Sequence, residues 1–297
     1  MDQSRSAQDS IEISPAFFVD GAESVLSPFV FNSPHSGRTY PDSFIQNSCL
    51  TASDLRKSED SFVENLFDHV CELGAPLLHA NFPRAFIDVN REPYELDPEL
   101  FRENLPKFAN TQSVRVAGGL GTIPRMVSEA DRIYANTLEL EDAFTRINTY
   151  YKPYHSTLGR LLELARNKFG YVILVDCHSM PSLATQKMRP DFVLGDRFGT
   201  SCNSALTQFV ESKLRDMGYQ VARNKPYAGG YITEHYGQPS NGIQALQIEI
   251  NRALYMNESL FEKNGTFDQV RTDLAYLCQN MMAEIPDLLT SQKLAAE

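Results

Sequence analysis

Apolar residues follow two rhythms along this chain, and the two alternate. Short continuous or alternating apolar runs at residues 28–32, 76–80, 85–89, 171–175, 191–195, 220–223 and 243–250 predict β-strands, the run at 171–175 buried on both faces. Between them, apolar side chains return at helical spacing. Leu55, Phe62, Val63, Leu66, Phe67, Val70 and Leu73 predict a helix over 51–73, with Gly74 as its stop. A second helical stretch, 128–169, is interrupted near Pro153 and closed by Gly170. Helices are also predicted over 201–217, with Ser201 or Asn203 as N-cap and Gly218 as stop, and over 267–285. Strands alternating with helices make this an α/β chain. The expected architecture is a single domain over 15–290, built on a mixed, mostly parallel sheet with helices on both faces.

Two stretches follow neither rhythm. Residues 92–127 carry Pro93, Pro98, Pro106, Gly118, Gly119, Gly121 and Pro124, and residues 226–237 are rich in glycine and tyrosine and contain His235. Segments of this length without periodicity inside a compact domain are usually functional loops, so both are expected to frame a pocket, with 92–127 as a candidate lid.

Composition narrows the range of partners. A formal net charge of -11 without a Lys/Arg cluster argues against nucleic acid and against an anionic membrane, and leaves a small molecule as the expected ligand. The five cysteines are odd in number and scattered, with no Cys-x-x-Cys pair, which suits reduced thiols in a cytoplasmic compartment. Residues 1–14 are polar and expected to be a disordered tail, with no apolar signal core. A homo-oligomer is compatible with the sequence.

The chemistry gathers where apolar runs stop. His35 follows the run at 28–32, Asn90 and Arg91 follow 85–89, Asp176 and His178 follow 171–175, and Glu249 lies near the end of 243–250. In open α/β sheets, ligands gather beyond the carboxyl ends of the strands. Zinc catalysis requires three ligands drawn from His, Asp and Glu, with a fourth position left for water. His35 and His178 supply two. No His-x-x-Glu motif is present, because residue 38 is Arg, so the third comes from elsewhere, and Asp60 or Glu59 is the nearest candidate. Asp176 stands two residues before His178, and on extended chain it can orient that imidazole. Glu249 suits a general base, Arg91 has the planar fork that grips a carboxylate, and Asn90 offers a further donor. Each has an ordinary alternative: Glu249 in a salt bridge with Arg252, Arg91 in one with Asp88, and Glu59 and Asp60 as solvated acids at a helix start.

Taken together, Ser33-Pro34-His35-Ser36-Gly37, Asp88-Val89-Asn90-Arg91, Asp176-Cys177-His178-Ser179, the run from Gly229 to Gly237 and Leu246-Gln247-Ile248-Glu249 resemble the N-formylglutamate amidohydrolase family over residues 28–257. The resemblance implies a zinc-carboxypeptidase-like (phosphorylase/hydrolase-like) α/β fold, one bound zinc, and hydrolysis of N-formyl-L-glutamate to formate and glutamate in histidine degradation. It also implies His35, His178 and Asp60 rather than Glu59 as metal ligands, Glu249 as base, and Asn90, Arg91 and His235 as substrate contacts. The chain departs from the family pattern in lacking tryptophan and in carrying acidic Glu234 beside His235. Two alternatives keep the same residues: a deacylase of another N-acyl amino acid or a small zinc carboxypeptidase, and a catalytically inactive acyl-amino-acid binding protein.

Overall fold

Strand side chains alternate between two faces, and here that alternation builds two separate cores. In the computed structural model, which describes residues 13–21, 25–128, 131–182 and 190–296, seven strands form one sheet: β1 (Phe17–Asp20), β2 (Phe29–Ser33), β3 (Leu77–Ala80), β4 (Val172–Met180), β5 (Phe192–Gly195), β6 (Val221–Arg223) and β7 (Ile243–Asn251), in the order β1-β3-β2-β4-β7-β5-β6. The central strands β3, β2, β4 and β7 run parallel, while β1 and the β5-β6 pair run antiparallel to them. Phe29, Phe31, Ile173, Val175, Leu246 and Ile248 pack on one face against the helices Val63–Phe67, Ser204–Asp216 and Phe267–Ala296. Val30, Leu78, Val172, Leu174 and Ala245 point the other way, toward Tyr154, Leu158 and Leu161 of the helix Lys152–Phe169. Fully burying such a side chain stabilises by about 1.5–3 kcal/mol, so the sheet is held from both sides.

The same alternation decides where polar groups emerge. Asp176 and His178 share parity with Val172 and Leu174, and Gln247 and Glu249 share parity with Ala245. All four therefore leave the sheet on the face toward helix Lys152–Phe169. Register places His178 opposite Glu249 and Asp176 opposite Gln247, and side chains opposite one another on a sheet are near neighbours.

Several local expectations change. Asp176 and His178 lie within β4, which runs to Met180, and not beyond its end. Residues 85–89 are buried but form no strand: Phe86 and Ile87 donate backbone N–H groups to the Pro83 carbonyl and Asp88 donates to Thr122, so this apolar run is a chain of turns. The predicted 51–73 helix is broken into Ala52–Arg56, Val63–Phe67 and a 3₁₀ turn at Asp68–Cys71, because Phe62 adopts a left-handed conformation with φ 68°. Helix around 128–169 begins at Leu140, and a π-helical turn, Ile147–Tyr151, precedes Pro153 and accommodates its missing N–H. The 226–237 stretch contains the short helix Tyr231–Tyr236, and β1 is a strand its brevity kept from showing in the pattern. Residues 1–12 of the expected tail lie outside the described residues. No helix among the described residues is long and apolar enough to cross a membrane.

Phe31 is fully buried where β2 meets the helix Val63–Phe67. Phe31→Ala is expected to destabilise by about 3–5 kcal/mol, read as a lower denaturant midpoint with an unchanged slope.

Candidate active site

Three candidate ligand atoms converge near the carboxyl ends of the central strands. His35, Asp60 and His178 are buried, and each can offer one N or O atom such that all three atoms lie within 4.8 Å of one another. His178 arrives on β4. His35 sits in the turn just past β2, a turn pressed so closely on the next segment that a Cβ on Gly37 would fall 2.1 Å from the Phe82 carbonyl oxygen. Asp60 comes from the break between two helices, where its backbone N–H donates to the His35 carbonyl at 3.0 Å. The same break that disrupts the predicted helix thus delivers the carboxylate to the histidines.

The outer nitrogens of both rings are tied to carboxylates. His35 Nε2 lies 2.7 Å from Asp88 Oδ1, and His178 Nε2 lies 3.1 Å from Asp176 Oδ2. Asp176 in turn accepts from Asn32 Nδ2 at 2.7 Å, and Tyr154 donates its hydroxyl to Asn32 Oδ1. Asp88 accepts from Arg84 Nε at 2.9 Å and from the Asn90 backbone N–H at 2.8 Å, with Arg91 3.3 Å away. The inner Nδ1 atoms both face Asp60 Oδ2, at 3.0 Å from His178 and 3.5 Å from His35. Among the described residues, Nδ1 of His35 is a buried nitrogen with no hydrogen-bond partner. Such groups are costly unless something else satisfies them. Two imidazole nitrogens and a carboxylate oxygen, with carboxylates holding the far side of each ring, form a donor set that suits a divalent cation.

Charge pairing dominates the site. Burial alone would raise the Asp60 carboxyl, yet His178 and His35 hold it well below the usual carboxylate range. For His178, burial works to lower the pKa, but Asp176, Asp60 and Glu249 hold it well above 6.5. Burial pushes Glu249 up to about 7 against the pull of His178, with the Asp60 charge adding to the rise. Gln247 Nε2 donates to Glu249 Oε1 at 2.7 Å and fixes the carboxyl on β7. Arg252 binds Asp60 Oδ1 at 3.0 Å and Ser179, so the alternative salt bridge from Arg252 to Glu249 is not formed.

A cavity of about 480 Å³ opens over this cluster. His35, Asp60, His178, Glu249, Asn90 and Arg91 all line it, as do Arg115, Leu120, Pro124, Met126 and Val127 from the aperiodic 92–127 segment. Glu59 is turned away: its carboxylate is taken by Tyr40, Arg56 and Ser61. His235, expected at the substrate, does not line the cavity; it is exposed on the short helix Tyr231–Tyr236 and stacks on Tyr231. Asn90 is clamped, accepting from the Ile232 backbone N–H at 2.8 Å with Nδ2 3.2 Å from His178 Nε2. A Cβ on Gly230 would strike that amide at 2.3 Å. Arg91 gives Nε to the Leu120 carbonyl and NH1 to the Asn90 carbonyl, and burial pushes its pKa down to about 10.

Sequence reasoning gave no functional place to Arg84 or to Asp88 as the partner of His35. The signal for Asp88 was there, since it precedes Asn90 by two residues as Asp176 precedes His178, but its use by a histidine 53 positions away leaves no trace in local pattern. Arg84 stands just before the 85–89 run that reads as strand and folds as turns.

The family model described as N-formylglutamate amidohydrolase matches residues 27–256. The chain belongs to the N-formylglutamate amidohydrolase family. It is 29% identical to the N-formylglutamate deformylase of Pseudomonas putida over 239 residues, which span 78% of this chain and 83% of that protein. The N-formylglutamate deformylase of Pseudomonas aeruginosa is 27% identical over 238 residues, with the same shares covered. Among solved structures, N-formylglutamate amidohydrolase from Ralstonia eutropha superposes with a TM-score of 0.85 at 37% identity, covering 90% of this chain and 97% of that one. A gene product from Agrobacterium tumefaciens shares the fold, with a TM-score of 0.68 at 21% identity and coverage of 91% and 96%.

Removing a carboxylate behind a metal-binding histidine typically costs 10–100-fold in metal affinity. Asp88→Asn is therefore expected to weaken divalent-metal binding about 10–100-fold in competition with a chelator, whereas Glu59→Gln leaves that affinity unchanged.

Proposed function

We propose that this family member hydrolyses the N-formyl amide of N-formyl-L-glutamate to formate and L-glutamate, a reaction of histidine degradation. The observation that carries the reading is the convergence of His35 Nδ1, Asp60 Oδ2 and His178 Nδ1 next to a buried Glu249 in one cavity. His35, Asp60 and His178 would hold a zinc ion, which when bound would supply Lewis acidity.

The chain's own residues do the rest. Glu249 takes the proton of the attacking water and returns it to the leaving amine, a role suited to a carboxyl poised at about 7. Arg84, anchored to Asp88 through Nε, keeps its terminal N–H groups for the charge that develops on the carbonyl oxygen. Arg91 and Asn90 hold the α-carboxylate, with Arg91 itself positioned by Leu120, Asn90 and Asp88. Asp88 and Asp176 fix the two imidazoles in one orientation each. His235 has no contact with the reacting centre in this reading.

Glu249→Gln is expected to lower kcat about 10²–10⁴-fold with metal content unchanged, measured by formate release. For the unsubstituted enzyme kcat/KM should fall as pH drops through the Glu249 pKa, at or below about 7 because a bound cation favours the charged carboxylate. A panel of N-formyl, N-acetyl and peptidyl amino acids tests the substrate. Preference for N-acetyl or peptidyl compounds would assign a deacylase or carboxypeptidase instead, and metal-replete protein that binds acyl-glutamate without turnover would assign a binding protein.

A further inference from the structure

The cavity lies in an acidic protein yet is lined by six cationic side chains, Lys57, Arg84, Arg91, Arg115, Arg197 and Arg252. Five of them each make at least one hydrogen bond or close ion pair within the protein. Lys57 pairs with Asp54 and Asp131, Arg84 with Asp88, and Arg252 with Asp60 and Ser179. Arg91 is bonded through Nε and NH1, and Arg197 is held by Glu234 at 2.7 Å and by the Gly229 carbonyl. Arg115 differs. Among the described residues its guanidinium makes no hydrogen bond, and its nearest carboxylate, Glu95, is 3.8 Å away.

That carboxylate is already occupied, since Glu95 Oε1 accepts from the Ser113 hydroxyl and Oε2 from the Glu92 backbone N–H. The backbone that carries Arg115 is nonetheless fixed. It lies in the short helix Val114–Ala117, where Ser113 caps Val116 at 3.0 Å and Val116 is buried. A placed arginine with its hydrogen-bonding capacity unspent, on the wall that also carries Arg91, is arranged for an anion that comes from outside the protein. The positive charges of Arg84 and Arg115 join burial in holding the Arg91 pKa down, as expected for guanidinium groups sharing one wall.

We infer that Arg115 is the specificity-determining residue that binds the side-chain carboxylate of an acidic N-acyl amino acid. This rests on the functional reading above, in which Arg91 and Asn90 hold the α-carboxylate. A dicarboxylate then lies along the wall, with one carboxylate on Arg91 and the other on Arg115, while its acyl group reaches His35, Asp60 and His178. The departure at Glu234 is consistent with this division: Arg197 is paired with Glu234, and Arg115 takes the second carboxylate. The 92–127 segment becomes the element that selects the substrate.

The test is the ratio of kcat/KM for N-formyl-L-glutamate over N-formyl-L-glutamine, measured on full-length, metal-replete enzyme. Arg115→Met, which keeps the apolar stem, is expected to lower this ratio about 10- to 100-fold, as for loss of a hydrogen-bonded charge pair, with the change in KM. Arg115→Lys, a point charge without the fork, should retain part of the preference. An unchanged ratio in Arg115→Met would overturn the inference, and so would an equal loss on both substrates, which would mark Arg115 as merely structural. A ratio that collapses in Arg197→Met while Arg115→Met keeps it would move the role to Arg197. If the unsubstituted enzyme hydrolyses neither formyl compound, it is the functional reading that fails.

Discussion

Asp60 is a carboxylate buried between two imidazoles, and its ionisation is tolerable only because His35, His178 and Arg252 surround it. An isolated ionised carboxyl in such a place would cost several kcal/mol and would take up a proton instead. The cluster therefore works as one unit: Asp88 holds the far side of His35, Asp176 the far side of His178, and each of these acids is itself bonded to Arg84 or Asn32. Removing any member strands a buried charge elsewhere. Interactions of this kind are strongly non-additive, so double substitutions within the cluster should cost less than the sum of the single ones.

The sheet makes the cluster possible. Parallel β2, β4 and β7 bring His35, His178 and Glu249 to neighbouring positions, and the β4-β7 register sets His178 opposite Glu249. Period-two alternation then sends Asp176, His178, Gln247 and Glu249 to the face of helix Lys152–Phe169, while Cys177 and Ile248 stay in the opposite core. A one-residue slip of β7 would put Glu249 into that core and an apolar residue beside His178. Packing on both faces, more than any contact in the site, defends against this.

Much of this was legible in the sequence because it depends on local pattern. Apolar runs located the main strands except β1, the alternation of strands and helices gave a mixed sheet covered on both sides, and polar residues near strand ends marked His35, His178 and Glu249, which the structure brings around one cavity, and Asp176, which it places behind His178. Other features were hidden for physical reasons. Phe62 breaks the 51–73 helix through a left-handed backbone that a phenylalanine rarely adopts, so periodicity could not locate the turn that carries Asp60 inward. Residues 85–89 have the composition of a strand, but their hydrogen bonds go to Pro83 and Thr122. His235 sits in a motif-rich stretch yet faces outward, because its short helix buries Ile232 and Thr233 instead. Choosing Asp60 over Glu59 required knowing which carboxylate Tyr40, Arg56 and Ser61 would claim, a long-range fact beyond any spacing rule.

The central claim is that His35, Asp60 and His178 form a single cation site and that Glu249 stands beside it without being a ligand. The most direct measurement is an anomalous-difference map from crystals grown with zinc, recorded on both sides of the zinc absorption edge. One peak bounded by Nδ1 of His35, Oδ2 of Asp60 and Nδ1 of His178, with Glu249 still bonded to Gln247, is the predicted result. A peak coordinated by Glu249 or Glu59, or zinc located away from the two histidines, would contradict it.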